Sequence, residues 1–172
     1  MTYPTIFIAT FLLQVLETSI ARYAGVNFVT PDIGLVAAFY LGAGTGPAAG
    51  LITAFLLGLS ADLMSMGGLI GMNAMIYTLI FLLALQVSTK VMVWSITGQL
   101  MLTLLFCFLS LIAQILFQFL FENWTNVYMD VWRVGLVGVL VTTAFSPILF
   151  IIFDMLRATV SRASGGDKRF IP

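Results

Sequence analysis

The chain is a succession of long, uncharged apolar stretches separated by short clusters of charge, proline and glycine. A membrane-crossing helix needs about 20 mainly apolar residues, so the boundaries fall where those clusters lie. The first stretch predicts a helix over 5–21, closed by Arg22. After a polar connection over 23–30, Thr30-Pro31-Asp32 reads as a helix start. In that reading Thr30 is the N-cap, Pro31 is the first helical residue and Asp32 lies at the positive helix end. The next uncharged run, Ile33 to Ala61, is too long for one span and short for two. Gly42-Ala-Gly-Thr-Gly-Pro47 breaks it, which predicts helices over 32–44 and 47–64, the first of them short. Gly67-Gly68 predicts a tight turn before a fourth helix over 69–87, with Lys90 beyond it. The fifth helix begins near Met92 and runs to Phe121. A polar turn from Glu122 to Asn126 precedes a sixth over 131–156, where Ser146-Pro147 predicts a kink. The expected fold is an all-α polytopic membrane protein with six transmembrane helices in residues 1–160. Residues 161–172, rich in glycine and charge, are expected to form a disordered cytoplasmic tail.

Composition narrows the function. Of 172 residues 61% are hydrophobic and 8% charged, against roughly 25% charged in soluble domains, which excludes a soluble globular protein. The net charge of zero argues against nucleic acid as a main partner. With no His and a single cysteine, Cys107, an internal disulfide, a thiol metal cluster and His-based catalysis are excluded. Neither an adjacent acidic pair nor a lysine-bearing phosphate loop occurs. The expectation is therefore a non-enzymatic protein with no catalytic, cofactor-binding or metal-ligating residues. No basic segment precedes the first apolar run and no small-residue cleavage site follows it, so it reads as a retained span. Arg157, Arg162, Lys168 and Arg169 follow the last span and Lys90 follows the fourth, which predicts that both termini are cytoplasmic. Arg22, Asp32, Glu122, Asp130 and Arg133 then lie on the other side. Trp94, Trp124 and Trp132 fall near the expected interfaces.

Polar residues inside the spans carry the remaining information. Gly46, Gly50, Ala54, Gly58 and Asp62 recur every four residues, which on a helix makes one nearly bare stripe. Such a stripe lets another backbone approach closely, from the same bundle or from a partner. Asp62 ends it, and a carboxylate at membrane depth requires a partner. Pairing with Arg133 or Arg22, capping of the following turn and proton transfer all remain open. On the first helix, Thr10, Gln14 and Glu17 share a polar face suited to interior hydrogen bonding or to a partner or ligand. The fifth helix carries a longer seam, Gln99, Thr103, Cys107, Ser110, Gln114 and Gln118, on one side. It faces either the bundle or another subunit. Asp154 and Arg157, three apart, are placed to pair at the cytoplasmic interface.

One segment is specific enough to suggest a family. Pro31-Asp32 opens a short apolar helix, followed by the stripe from Gly50 to Gly58-Leu-Ser-Ala-Asp62, then Ser65-Met-Gly-Gly68 and Gly71. This pattern, with the length, the short-looped spans and the basic tail, resembles the bacterial rod shape-determining protein MreD family. The resemblance implies a scaffold subunit of the cell-elongation (rod) complex in the inner membrane, supporting peptidoglycan synthesis and rod cell shape. The partners it implies are MreC, RodA with its transpeptidase partner, the MreB filament and membrane lipids. It also implies a fold similar to the substrate-binding subunits of energy-coupling-factor transporters. A small-molecule transporter subunit of that kind is the alternative function. Gly58, Asp62, Gly68 and Gly71 stand at the family's signature positions. With Gly50, Ala54 and Glu17 they form the candidate packing and partner-binding set, and no cofactor is implied.

Overall fold

The computed structural model describes residues 2–24, 30–44, 46–64, 70–88, 95–121 and 128–163. These form six helices: α1 (Thr2–Ala24), α2 (Ile33–Gly44), α3 (Pro47–Met64), α4 (Met72–Ser88), α5 (Ile96–Phe121) and α6 (Tyr128–Ala163). All six expected helices are present, but they are not six equal spans. Four of them, α1, α3, α5 and α6, are long and apolar enough to cross a membrane. At 1.5 Å per residue α2 is about 18 Å long and α4 about 26 Å, both short of a hydrocarbon core of about 30 Å.

The short α2 is the centre of the molecule. Its residues from Ile33 to Gly42 are all buried, as expected of a helix that is apolar on every side. It touches each of the other five helices. Phe39 packs edge-on against Phe106 of α5 and Phe150 of α6, with ring centroids 5.1 and 5.2 Å apart. Such pairs contribute about 0.5–1.5 kcal/mol beyond area burial. One turn further along α2, Gly42 admits α4. A Cβ there would lie 2.6 Å from the Phe81 carbonyl oxygen and 2.7 Å from the Ala84 Cβ. At the far end of α2, the Tyr40 hydroxyl donates to Asp154 Oδ1 at 2.7 Å, so Asp154 is tied to the core.

Polarity is turned inward. Leu16 of α1, Ile52 of α3, Met101 of α5 and Leu140 of α6 are exposed, as a lipid solvent permits. Gln99, Thr103, Cys107 and Ser110 are buried, and Gln114 is partly buried, so these five members of the α5 seam face the bundle of their own chain; the Gln118 side chain lies outside the described residues. Buried polar groups normally find partners, yet the Thr103 hydroxyl has none among the described residues.

Helix ends were set by caps that the pattern only partly revealed. α5 starts at Ile96, later than Met92, because Ser95 is its N-cap, accepting from the Gly98 N–H at 3.1 Å. α6 passes through Pro147, whose missing N–H would have bonded the Thr143 carbonyl. The Ser146 hydroxyl donates to that carbonyl at 2.9 Å in its place. The same helix runs to Ala163, so residues 161–163 are helical and not the start of a tail. Several expectations lie outside the described residues: the Gly67-Gly68 turn, Lys90, Trp94, the turn with Glu122 and Trp124, and residues 164–172.

Candidate functional site

The four-spaced stripe and Asp62 build one device. Gly50, Ala54, Gly58 and Asp62 are all buried, whereas Gly46, at the end of the stripe, is exposed. The stripe therefore packs inside its own chain. Gly58 sits against the first turn of α4. A Cβ on it would lie 2.5 Å from the Asn73 carbonyl oxygen and 2.7 Å from the Ala74 nitrogen. That contact with backbone brings the next turn of α3, and Asp62 with it, onto the N-terminus of α4. Asp62 Oδ2 accepts from the Gly71 and Ala74 N–H groups at 2.9 and 3.1 Å, and Oδ1 from the Asn73 N–H at 3.0 Å. Helix N-termini present unpaired N–H groups and partial positive charge, and here the cap comes from another helix. Gly71, whose carbonyl accepts the first α4 bond from Met75, is the N-cap residue and has no side chain to cap with. Its φ of 100° is a conformation that favours glycine. Of the alternatives open for Asp62, capping is the one observed. The side chains of Arg22 and Arg133 lie outside the described residues, as does Gly68.

A second carboxylate lies nearby at the start of α2. Asp32, not Thr30, is the N-cap of this helix: its Oδ1 accepts from the Leu35 N–H at 2.9 Å and its carbonyl from the Val36 N–H at 3.3 Å. Pro31 accordingly precedes the cap and is not the first helical residue. The Tyr77 hydroxyl of α4 also donates to Asp32 Oδ1, and the Asp32 N–H donates to Thr142 Oγ1 of α6 at 2.9 Å. Asp32 thus ties together the beginning of α2, α4 and α6.

The polar face of α1 completes the cluster. Gln14 is buried, and its Oε1 accepts from the Ser60 hydroxyl of α3 at 3.0 Å. Gly34 leaves room for this amide and for the Tyr77 ring, since a Cβ there would clash with both. Glu17 is half-buried and faces Thr30 and Asp32. Carboxylates from three separate elements, Asp32, Glu17 and Asp62, act electrostatically on Tyr77. No group of three His, Cys, Asp or Glu suited to a metal ion occurs among the described residues.

Between the start of α2, α5 and α6 lies a cavity of about 150 Å³. Thr30, Asp32, Ser110, Gln114 and Thr142 supply its polar lining, and Leu111 and Val139 part of its apolar wall.

The structure thus brings Gly58, Asp62 and Gly71 into one contact and places Gly50 and Ala54 on the same buried face. Glu17 belongs to the separate cluster around Tyr77. Residues that the sequence reading passed over are Asp32 as a cap, Tyr77 and Thr142. Thr30-Pro31-Asp32 flagged the segment, but nothing local distinguishes Tyr77 or Thr142 from other polar residues in apolar helices. No curated protein matches this chain, and no solved structure does. A family model described as rod shape-determining protein MreD matches residues 1–156, all of the bundle except the last turns of α6, and the chain therefore belongs to the MreD family.

Proposed function

We propose that this protein is a non-enzymatic scaffold subunit of the cell-elongation complex, binding MreC in the inner membrane and supporting peptidoglycan synthesis along the rod. The observation that carries this reading is the family match over nearly the whole helical bundle; membership in this family implies a role in rod shape determination. The wall-elongation partners would be RodA with its transpeptidase partner, and MreB on the cytoplasmic side, where the charge distribution would put both termini. The internal geometry supports a scaffold: the buried polar groups of α3 and α4 fix one helix on another. Accepting from three backbone N–H groups, Asp62 has the geometry of a structural cap, which favours that role over proton transfer. Recognition would then rest on helix faces and short connections held in a fixed arrangement.

The test is complementation. In a rod-shaped bacterium deleted for its MreD-family gene, expression of this chain with its own MreC should restore rods, and MreC should co-purify with it. Rounded cells despite normal membrane levels of both proteins would overturn the proposal. The cavity gives some support to a second reading, a substrate-binding subunit of the energy-coupling-factor type. At about 150 Å³ it is smaller than the roughly 300–1,000 Å³ of pockets that enclose drug-sized ligands, which favours the scaffold. Co-purification with an energising subunit and ATPases in place of MreC would reverse that preference.

A further inference from the structure

We propose that the cavity between α2, α5 and α6 binds a primary ammonium group, carried by an aminoethyl lipid headgroup or by a free small amine. The inference does not depend on the scaffold reading. Its first support is the state of Asp32. Both side-chain hydrogen bonds of this carboxylate, from the Leu35 N–H and the Tyr77 O–H, fall on Oδ1. Oδ2 accepts none among the described residues, and Asp32 lines the cavity. The second support is independent. Ser110 is 4% exposed and lines the same cavity from α5, yet its hydroxyl makes no hydrogen bond with another described residue. The Gln114 amide, one turn further along α5, is in the same position.

These groups select a ligand chemistry. A carboxylate oxygen in a largely apolar protein calls for a positive or hydrogen-donating partner, and among the described residues no Lys or Arg lines the cavity. A primary ammonium is compact, charged and presents three donors with no acceptor. Asp32, Ser110 and Gln114 bring three acceptor-bearing side chains to two walls of one space. A trimethylammonium group has no N–H donor and is recognised by aromatic faces, and among the described residues no aromatic one lines the cavity. The space itself exists because α6 is bare at that level: a Cβ on Gly138 would meet nothing within 4 Å. The volume of about 150 Å³ suits a headgroup fragment or a small amine.

The experiment uses the full chain in detergent, titrated with a short-chain phosphatidylethanolamine, the matching phosphatidylcholine and free ethanolamine, with bound ligand counted by native mass spectrometry. Binding of the ethanolamine lipid is expected to be at least about tenfold tighter than that of the choline lipid. Two variants should each lose that preference. Asp32→Asn keeps an acceptor for Leu35 and Tyr77 while removing the charge. Gly138→Leu fills the cavity from an open position on a helix. Thermal unfolding close to that of the unaltered chain shows that both are folded. Binding of free ethanolamine, lost in the same variants, assigns a soluble amine as sufficient; binding of the lipid alone assigns the membrane as the source. Equal retention of the two lipids, no retention of either amine, or unchanged binding in Asp32→Asn overturns the proposal.

Discussion

Asp62 and Asp32 are both buried or half-buried carboxylates at helix N-termini, and they are used in opposite ways. Asp62 belongs to α3 but caps α4, and both of its oxygens are engaged, by the amides of Gly71, Asn73 and Ala74. Asp32 caps its own helix and uses one oxygen for two donors, the other accepting from no described residue, and Asp32 lines a cavity. The first arrangement is closed: both oxygens accept from the start of α4 and fix one helix against another. The second is closed on its structural side and open on the other. A buried carboxylate in a membrane protein is thus not informative by residue type alone; what separates structure from binding is how many of its lone pairs the fold already uses.

The largest expected effect comes from the contact that makes the closed arrangement possible. Gly58→Leu places a side chain against the backbone of Asn73 and Ala74, which no rotamer change can relieve. Overpacking against rigid atoms costs about 3 kcal/mol or more at the upper end of such substitutions. The outcome to measure is loss of folded protein from the membrane, seen as aggregation on size exclusion in detergent, together with round cells in the complementation assay. Normal abundance and normal rods would show that α3 and α4 need not touch here.

Next in size is the isosteric change at the cap itself. Asp62→Asn leaves one oxygen where two accept, and turns an NH₂ toward a backbone N–H. Losing a hydrogen bond and stranding a buried donor costs roughly 1–3 kcal/mol per group, so a loss of about 2–3 kcal/mol is expected. At about 2–4 °C per kcal/mol for a chain of this size, the thermal midpoint in detergent should fall by several degrees. An unchanged midpoint would mean that Asp62 is not an obligatory acceptor. Gly71→Ala comes third. The space around a new Cβ is open, so the only penalty is the backbone at φ 100°, about 1–2 kcal/mol for a non-glycine residue. A drop similar to that of Asp62→Asn would point to disruption of the cap geometry as well.

These sites differ in how far they could be read in advance. The six helices were legible because apolar runs of span length punctuated by Pro, Gly and charge leave few alternatives, and the stripe was legible because its members are four residues apart on one helix. That the stripe faces inward was not, since a bare face suits α4 and a partner equally well. The Asp32 cluster was illegible for a different reason. Tyr77 and Thr142 lie 45 and 110 positions away from Asp32 along the chain, so no local spacing encodes the contact. The cap itself is a local bond to Leu35, but Thr30-Pro31-Asp32 offers two residue types suited to capping and nothing local chooses between them. The central place of α2 was half visible: its unbroken apolar sequence is compatible with burial, but a run of 12 residues reads equally as a short span, and nothing local marks it as the pillar on which the others pack.

The smallest expected effect is also the sharpest test of the contrast. Asp32→Asn is chemically the same substitution as Asp62→Asn, made at a carboxylate with one oxygen engaged. The asparagine oxygen can occupy the position of Oδ1 and keep accepting from Leu35 and Tyr77, while its NH₂ turns to the cavity, where no backbone donor opposes it. The two retained hydrogen bonds each weaken by up to about 1 kcal/mol when the acceptor becomes neutral, and relief from burying a charge offsets part of this, so the net loss should be about 1 kcal/mol. The thermal midpoint should therefore stay within a few degrees of the unaltered chain, well above that of Asp62→Asn in the same detergent. If the two variants unfold together, both carboxylates are structural to the same degree and the distinction between a closed and an open cap fails. If Asp32→Asn is the more stable of the two, the free oxygen of Asp32 is an acceptor that the fold does not need, as a binding group at the cavity would be.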